Sequence, residues 1–142
     1  MKPDVLDNLT FHHIGLACRD MSRDRRDHEF LGYRAEGEVF ADPTQRIRGL
    51  FMTLGPIRVE LLEPLDETSP LHAYLKRGIK IYHQCFLTPD IEATIRALQS
   101  HGARVASPPQ PAVAFDGRRI AFLLLPSQML IELIEAPVPA QG

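Results

Sequence analysis

In residues 11–17 and again in 81–87 apolar residues flank a polar pair, His12-His13 or His83-Gln84, and each short run predicts a strand. An aspartate follows each strand, Asp20 or Asp90, placed to cap the free backbone N–H groups of a helix. A helix of about eleven residues is expected after each cap, stopping at Gly32 or Gly102. Three extended stretches come next: about 33–41, 46–54 and 57–63 in the first half, and about 103–107, 112–124 and 128–135 in the second. The order is therefore βαβββ, twice. Between the halves, residues 69–78 predict a short linking helix with Pro70 near its first turn. The Pro-rich run Ser107-Pro108-Pro109-Gln110-Pro111 reads as a stiff loop and a rim for a pocket.

The two halves also repeat residue by residue. His13-Ile14-Gly15-Leu16-Ala17-Cys18-Arg19-Asp20-Met21 lines up with His83-Gln84-Cys85-Phe86-Leu87-Thr88-Pro89-Asp90-Ile91 at an offset of 70. Val59-Glu60-Leu61-Leu62-Glu63 falls on Ile131-Glu132-Leu133-Ile134-Glu135 at an offset of 72, a drift that one small loop insertion explains. The chain is read as a single domain, 1–142, built from two modules at 11–64 and 81–136. The two main helices differ. Ile91, Ile95 and Leu98 give the second an apolar face, whereas the matching positions of the first hold Met21, Arg25 and His28. The first helix is expected to be solvated and loosely packed. The other reading is a basic face that meets an anionic ligand or a partner subunit.

Composition narrows the function classes. The 142 residues carry a formal charge of −2, so no basic field exists for a nucleic-acid backbone. No apolar run approaches the ~20 residues that span a bilayer, and acids stand in the N-terminal stretch where a signal peptide needs apolar residues. Two cysteines, Cys18 and Cys85, make no disulfide framework. These features predict a soluble, cytoplasmic protein without nucleic-acid or membrane partners.

Four polar residues sit where burial is expected. Glu60 and Glu132 interrupt apolar strands, and a buried carboxylate without a partner costs several kcal/mol. Glu63 and Glu135, an odd number of residues further on, face the other side of the sheet and read as structural. His13 and His83 hold equivalent places on the opening strands. His12 points away from the face that His13 shares. If a pseudo-two-fold axis relates the halves, all four residues converge on one point. Two imidazoles and two carboxylates suit a divalent first-row metal and leave two positions open in an octahedral shell. The alternative is a pair of His–Glu hydrogen bonds.

With these residues in place, the chain resembles the vicinal oxygen chelate superfamily, which includes glyoxalase I, bleomycin-resistance proteins, extradiol dioxygenases and methylmalonyl-CoA epimerase. The resemblance spans about 11–136 and is nearest to the epimerase-like members, through the run from Val59 to Leu71, Tyr82-His83 and Asp90-Ile91. It implies an α+β fold: two tandem βαβββ modules forming an incomplete eight-stranded barrel with a concave metal site. It implies metal ligands at His13, Glu60, His83 and Glu132, with Glu132 and Glu60 as the catalytic carboxylates and one ion of Zn, Ni, Co, Mn or Fe. A homodimer is the usual assembly. The implied activity is that of a lyase, isomerase or epimerase that chelates neighbouring oxygens of a small 2-oxo or acyl substrate and moves a proton through an enediolate or enolate.

One departure stands out. Epimerisation requires bases on both faces of the carbon, and the second is commonly a glutamate on the third strand of the first module. Arg48 falls near that position, and no acid lies between Asp42 and Glu60. Arg48 could instead bind a substrate carboxylate or phosphate, and Arg118 and Arg119, after the Asp116-Gly117 turn signal, could reach an anionic or acyl-CoA substrate or sit on a wet strand. Other readings are a non-catalytic ligand-sequestering protein of the bleomycin-resistance type, an iron dioxygenase, and a purely structural module.

Overall fold

The computed structural model describes residues 3–136. Residues 1–2 and 137–142 of the expected domain, including the start of the stretch weighed as a signal peptide, lie outside the described residues. Two compact units divide the chain, the first holding residues 13–83 and the second the residues on either side. The α+β class is as expected, and among the described residues there are eight strands and three α-helices.

The first unit contains β1 (Thr10–Ala17, from His13 onward), α1 (Met21–Leu31), β2 (Arg34–Asp42), β3 (Ile47–Leu54), β4 (Ile57–Pro64) and α2 (Leu71–Lys76). Its strands lie in the order β2-β3-β4-β1. β1 runs parallel to β4, with Gly15 opposite Glu60, and β3 pairs antiparallel with β4, with Phe51 opposite Glu60. Helix α1 is capped by Asp20, whose side chain accepts from the Ser22 N–H at 3.0 Å, and it ends at Gly32 with φ 106°.

The second unit contains β5 (Ile81–Thr88, from Gln84 onward), α3 (Ile91–Ser100), β6 (Arg104–Pro111), β7 (Arg119–Leu124) and β8 (Leu130–Glu135). Its order, β5-β8-β7-β6, repeats that of the first. β5 runs parallel to β8 with Cys85 opposite Glu132, and β7 places Phe122 opposite Glu132. The register of the two units is thus the same around the two glutamates. β2 and β6 are each an edge strand.

Each sheet has a helix-covered face. In the second unit, Ile91, Ile95 and Leu98 of α3 bury against Ala121, Leu123, Ile131 and Leu133, the apolar stripe acting as its spacing predicts. In the first unit α1 buries only Met21, against Leu50, Met52, Val59, Leu61 and Cys18. The helix is otherwise solvated, and Phe30 near its end is 92% exposed. A polar anchor stands in for the missing stripe: the Glu63 carboxylate accepts from the Met21 N–H at 2.7 Å, placing negative charge at the helix N-terminus. The linking helix is shorter than expected, and its Leu71 is fully buried.

Two expectations are corrected. The run 107–111 is the end of strand β6, not a loop. Proline lacks an N–H, which an edge strand tolerates on its unpaired side, and the pairing with β7 slips at Ser107 and Gln110. The stretch 112–124 is not one strand, because a 3-10 turn at Val113–Phe115 precedes β7. Asp116 (φ 53°) and Gly117 (φ 82°) both adopt the left-handed region, the conformation an Asp-Gly pair favours.

Leu133 is fully buried, so Leu133→Ala is expected to lower stability by about 2–5 kcal/mol, while Arg26→Ala on exposed α1 stays within about 0.5 kcal/mol; urea unfolding measures both. Burial pushes the Cys18 thiol up to about 12, and the Asp24 carboxylate adds to the rise. An unfolded thiol ionises near ~8.5, so the protonated form contributes stability that is lost as pH climbs from there toward the folded value. Thiol titration with an aromatic disulfide at pH 8 is expected to be slow at Cys18 in the native protein and fast in urea.

Candidate functional site

Period-two alternation settles which residues share a face. On β4, Glu60 and Leu62 face away from α1, because Val59 and Leu61 are in the cluster beneath it. On β1 the same face takes His13 and Gly15, and on β3 it takes Gly49 and Phe51. The face is apolar around its polar centre. Ala17, Ile47, Leu62 and Leu71 form a buried cluster, with Phe40, Tyr74 and Tyr82 packed against it.

The centre is built from three side chains of the first unit. His13 is fully buried, His83 is 1% exposed and Glu60 is 5% exposed. The Glu60 Oε1 lies 3.0 Å from the His13 Nε2 and 3.5 Å from the His83 Nε2. The two imidazole Nε2 atoms are themselves 3.0 Å apart. Phe51 stands edge-on to the His13 ring at 5.1 Å between centroids, and Phe40 stacks on Phe51 at 5.8 Å. Gly15 lies against the His83 ring: a Cβ built there would be 2.4 Å from the ring's Cε1.

The chemistry of this donor set fits a metal ion. Two ring nitrogens facing each other at hydrogen-bond distance have room for one proton between them. The same three atoms would be neighbouring ligands around a cation bonded at ~2.1 Å, whose ligands stand about 3.0–3.4 Å apart. Glu132 is 2% exposed on β8 of the second unit, opposite Cys85 and Phe122, as Glu60 is opposite Gly15 and Phe51 in the first.

The three arginines lie elsewhere. Arg48 is on the α1 side of its sheet, its Nη1 donating to the Glu63 Oε1 at 2.7 Å. Arg119 bonds the carboxylates of Glu92 on α3, at 2.7 Å, and Glu135 on β8. It holds Glu92 below the usual carboxylate range through that hydrogen bond. Arg118, on the turn before β7, donates from Nε to the Phe115 carbonyl at 3.3 Å, with its guanidinium 5.9 Å from the Phe115 ring centre. Glu63 and Glu135 therefore have structural partners on the helix-covered faces. His12 packs edge-on against Phe115.

Sequence reasoning missed the aromatic wall. Its signal was present: Gly49 and Phe51 share the Glu60 face by alternation, and Phe40 sits on the neighbouring strand. The Phe40 ring fills the space over Gly49, where a built Cβ would come within 2.3 Å of it. The site face of β3 thus offers aromatic carbon and no carboxylate.

Comparison with known proteins agrees with this geometry. The family model for the glyoxalase/bleomycin resistance protein/dioxygenase superfamily matches residues 12–122. An ethylmalonyl-CoA/methylmalonyl-CoA epimerase of Cereibacter sphaeroides is 28% identical over 114 residues, covering 79% of this chain and 85% of its own. A protein of Bacillus subtilis that carries no assigned function is 30% identical over 112 residues, covering 78% of this chain and 79% of its own. Among solved structures, a hypothetical protein of Bacillus halodurans superposes with a TM-score of 0.77 at 26% identity, covering 94% of this chain and 99% of its own. The methylmalonyl-CoA epimerase of Mycobacterium tuberculosis gives 0.74 at 26% identity, covering 89% and 88%. The chain belongs to the glyoxalase/bleomycin resistance protein/dioxygenase superfamily, the vicinal oxygen chelate group that its repeat and its His–Glu pattern resembled.

Proposed function

We propose that this protein is a metal-dependent enzyme that moves a proton at the carbon beside two neighbouring oxygens of a small acyl-CoA or 2-oxo compound, as a lyase, isomerase or epimerase. The observation that carries the reading is the convergence of the His13 Nε2, the His83 Nε2 and the Glu60 Oε1 within 3.5 Å on a buried apolar face. His13, His83 and Glu60 hold the ion, and Glu132 completes the set from the equivalent place in the repeat. A divalent ion bound there supplies Lewis-acid polarisation of the substrate oxygens. Glu132 and Glu60 take and return the proton, and the buried setting keeps water from competing.

The relatives support the substrate class. The Cereibacter sphaeroides relative is an ethylmalonyl-CoA/methylmalonyl-CoA epimerase, and a similar Streptomyces coelicolor epimerase was solved with 2-nitronate-propionyl-CoA (TM-score 0.70, 26% identity). The aromatic wall of β3 supports a division of labour in which the metal-binding carboxylates do the proton transfer. Arg48 and Arg119 are engaged with acids on the helix-covered faces, which supports structural roles for both. Arg118 remains in the proposal as the residue that meets an anionic group. The protein works in the cytoplasm as a homodimer; two buried free cysteines suit a reducing compartment. No helix among the described residues is long and apolar enough to cross a membrane.

Metal analysis of the purified protein is expected to find about one divalent ion per chain, with His13→Ala losing it. A wild type that holds none after reconstitution with Zn, Ni, Co, Mn and Fe overturns the reading and favours a ligand-sequestering role. For the chemistry, methylmalonyl-CoA in deuterated water is expected to exchange its carbon-bound proton. Glu132→Gln should slow that exchange by about 10²–10⁴-fold, read by mass spectrometry.

A further inference from the structure

The Gly15 position is occupied, in effect, by another residue's ring. A Cβ placed there would stand 2.4 Å from the His83 Cε1, 2.7 Å from its Nδ1 and 2.8 Å from its Nε2. Real Cβ atoms do not approach a neighbour so closely, so any side chain at residue 15 requires the imidazole to move.

Backbone conformation does not call for glycine here. Six glycines among the described residues have positive φ, and Gly15 is not among them. The repeat supplies the second argument. Gly15 stands opposite Glu60 on β1, and its counterpart opposite Glu132 on β5 is Cys85, fully buried in a regular strand. The strand at this register therefore accepts a side chain. At residue 15 the imidazole of His83 occupies the place that a Cβ would take.

We infer that Gly15 is a positioning residue for the metal site: its missing side chain is the seat that lets the His83 ring lie flat enough on β1 to bring its Nε2 beside the His13 Nε2 and the Glu60 Oε1. The inference rests on the metal reading of those three residues. Relieving a 2.4 Å contact to ordinary van der Waals separation moves the ring by about 1 Å, whereas metal–ligand bonds tolerate roughly 0.2 Å. A single methyl group is therefore enough to take His83 out of the ligand set. The three-residue half-site, complete within the first unit, depends on one absent Cβ.

Cobalt(II) is the probe, because its visible spectrum reports ligand number and type. Gly15→Ala is expected to bind Co²⁺ about 10–100-fold more weakly than wild type, with an altered spectrum. Leu61→Ala, on the helix-covered face, is expected to lower the melting temperature while keeping wild-type affinity and spectrum. Wild-type affinity and spectrum in Gly15→Ala overturn the inference. NMR of the metal-free protein separates it from the functional reading. A nuclear Overhauser contact between the Gly15 Hα and the His83 Hε1 is expected in wild type, and a displaced His83 ring signal in Gly15→Ala. Failure of the wild type to bind Co²⁺ removes the functional reading and with it the metal role of residue 15, whereas absence of that contact in the wild type removes the seat itself.

Discussion

A carboxylate inside a β-strand must be compensated, and the Glu60 carboxylate organises the first unit around that need. Its side chain is nearly inaccessible, so water cannot solvate it. The compensation comes from two imidazoles that the chain supplies from positions 47 residues before and 23 residues after it. Everything near them follows from keeping those nitrogens on the oxygen. Phe51 backs the His13 ring, Phe40 backs Phe51, and Gly15 leaves room for His83. A buried charge with good partners is weak evidence for stability. The costs of its burial are accepted where the group has work to do, and presenting lone pairs to a cation is the work proposed for it.

The two faces of the sheet divide the charged residues by task. On the face away from α1, Glu60 is buried between two imidazoles, and nearer the sheet edge Arg58 pairs with Glu36 at 2.8 Å. On the helix-covered faces it is paired along conventional lines: Glu63 joins Arg48 to the Met21 N–H, and Arg119 joins Glu92 to Glu135. Glu60 and Glu63 are three residues apart on one strand and have unrelated roles, because an odd separation puts them on opposite faces. The same parity takes Arg48 away from the site. An arginine there neutralises an acid that caps a helix with almost no apolar stripe of its own.

The repeat is close in register and loose in content. Glycine and cysteine occupy the same register beside the two glutamates, and α3 carries an apolar face where α1 carries charge. The repeat holds two copies of a strand pairing that sets a histidine and a glutamate on adjacent strands, and the neighbours of each copy differ. The aromatic filling over Gly49 is one such difference, and β3 keeps its ladder to β4 around it.

The chain order alone fixed a good deal. Short apolar runs, two aspartate caps and two glycine stops point to the βαβββ order, because these signals act within a few residues of themselves. An acid in an apolar strand, repeated with a histidine 47 residues before it in one half and 49 in the other, marks the candidate site residues, since burial of charge is costly wherever it occurs. Tertiary structure decided the rest. Period two tells which residues share a face but not which face a helix covers, so the acids that Arg48 and Arg119 meet became visible only in the packing. Proline in 107–111 reads as a loop because its missing N–H is a local fact, while its tolerance in β6 depends on that strand being an edge. The occupant of the space above a glycine is set by residues far away in sequence. No pattern within β1 could show that the ring over Gly15 belongs to His83, or within β3 that the ring over Gly49 belongs to Phe40.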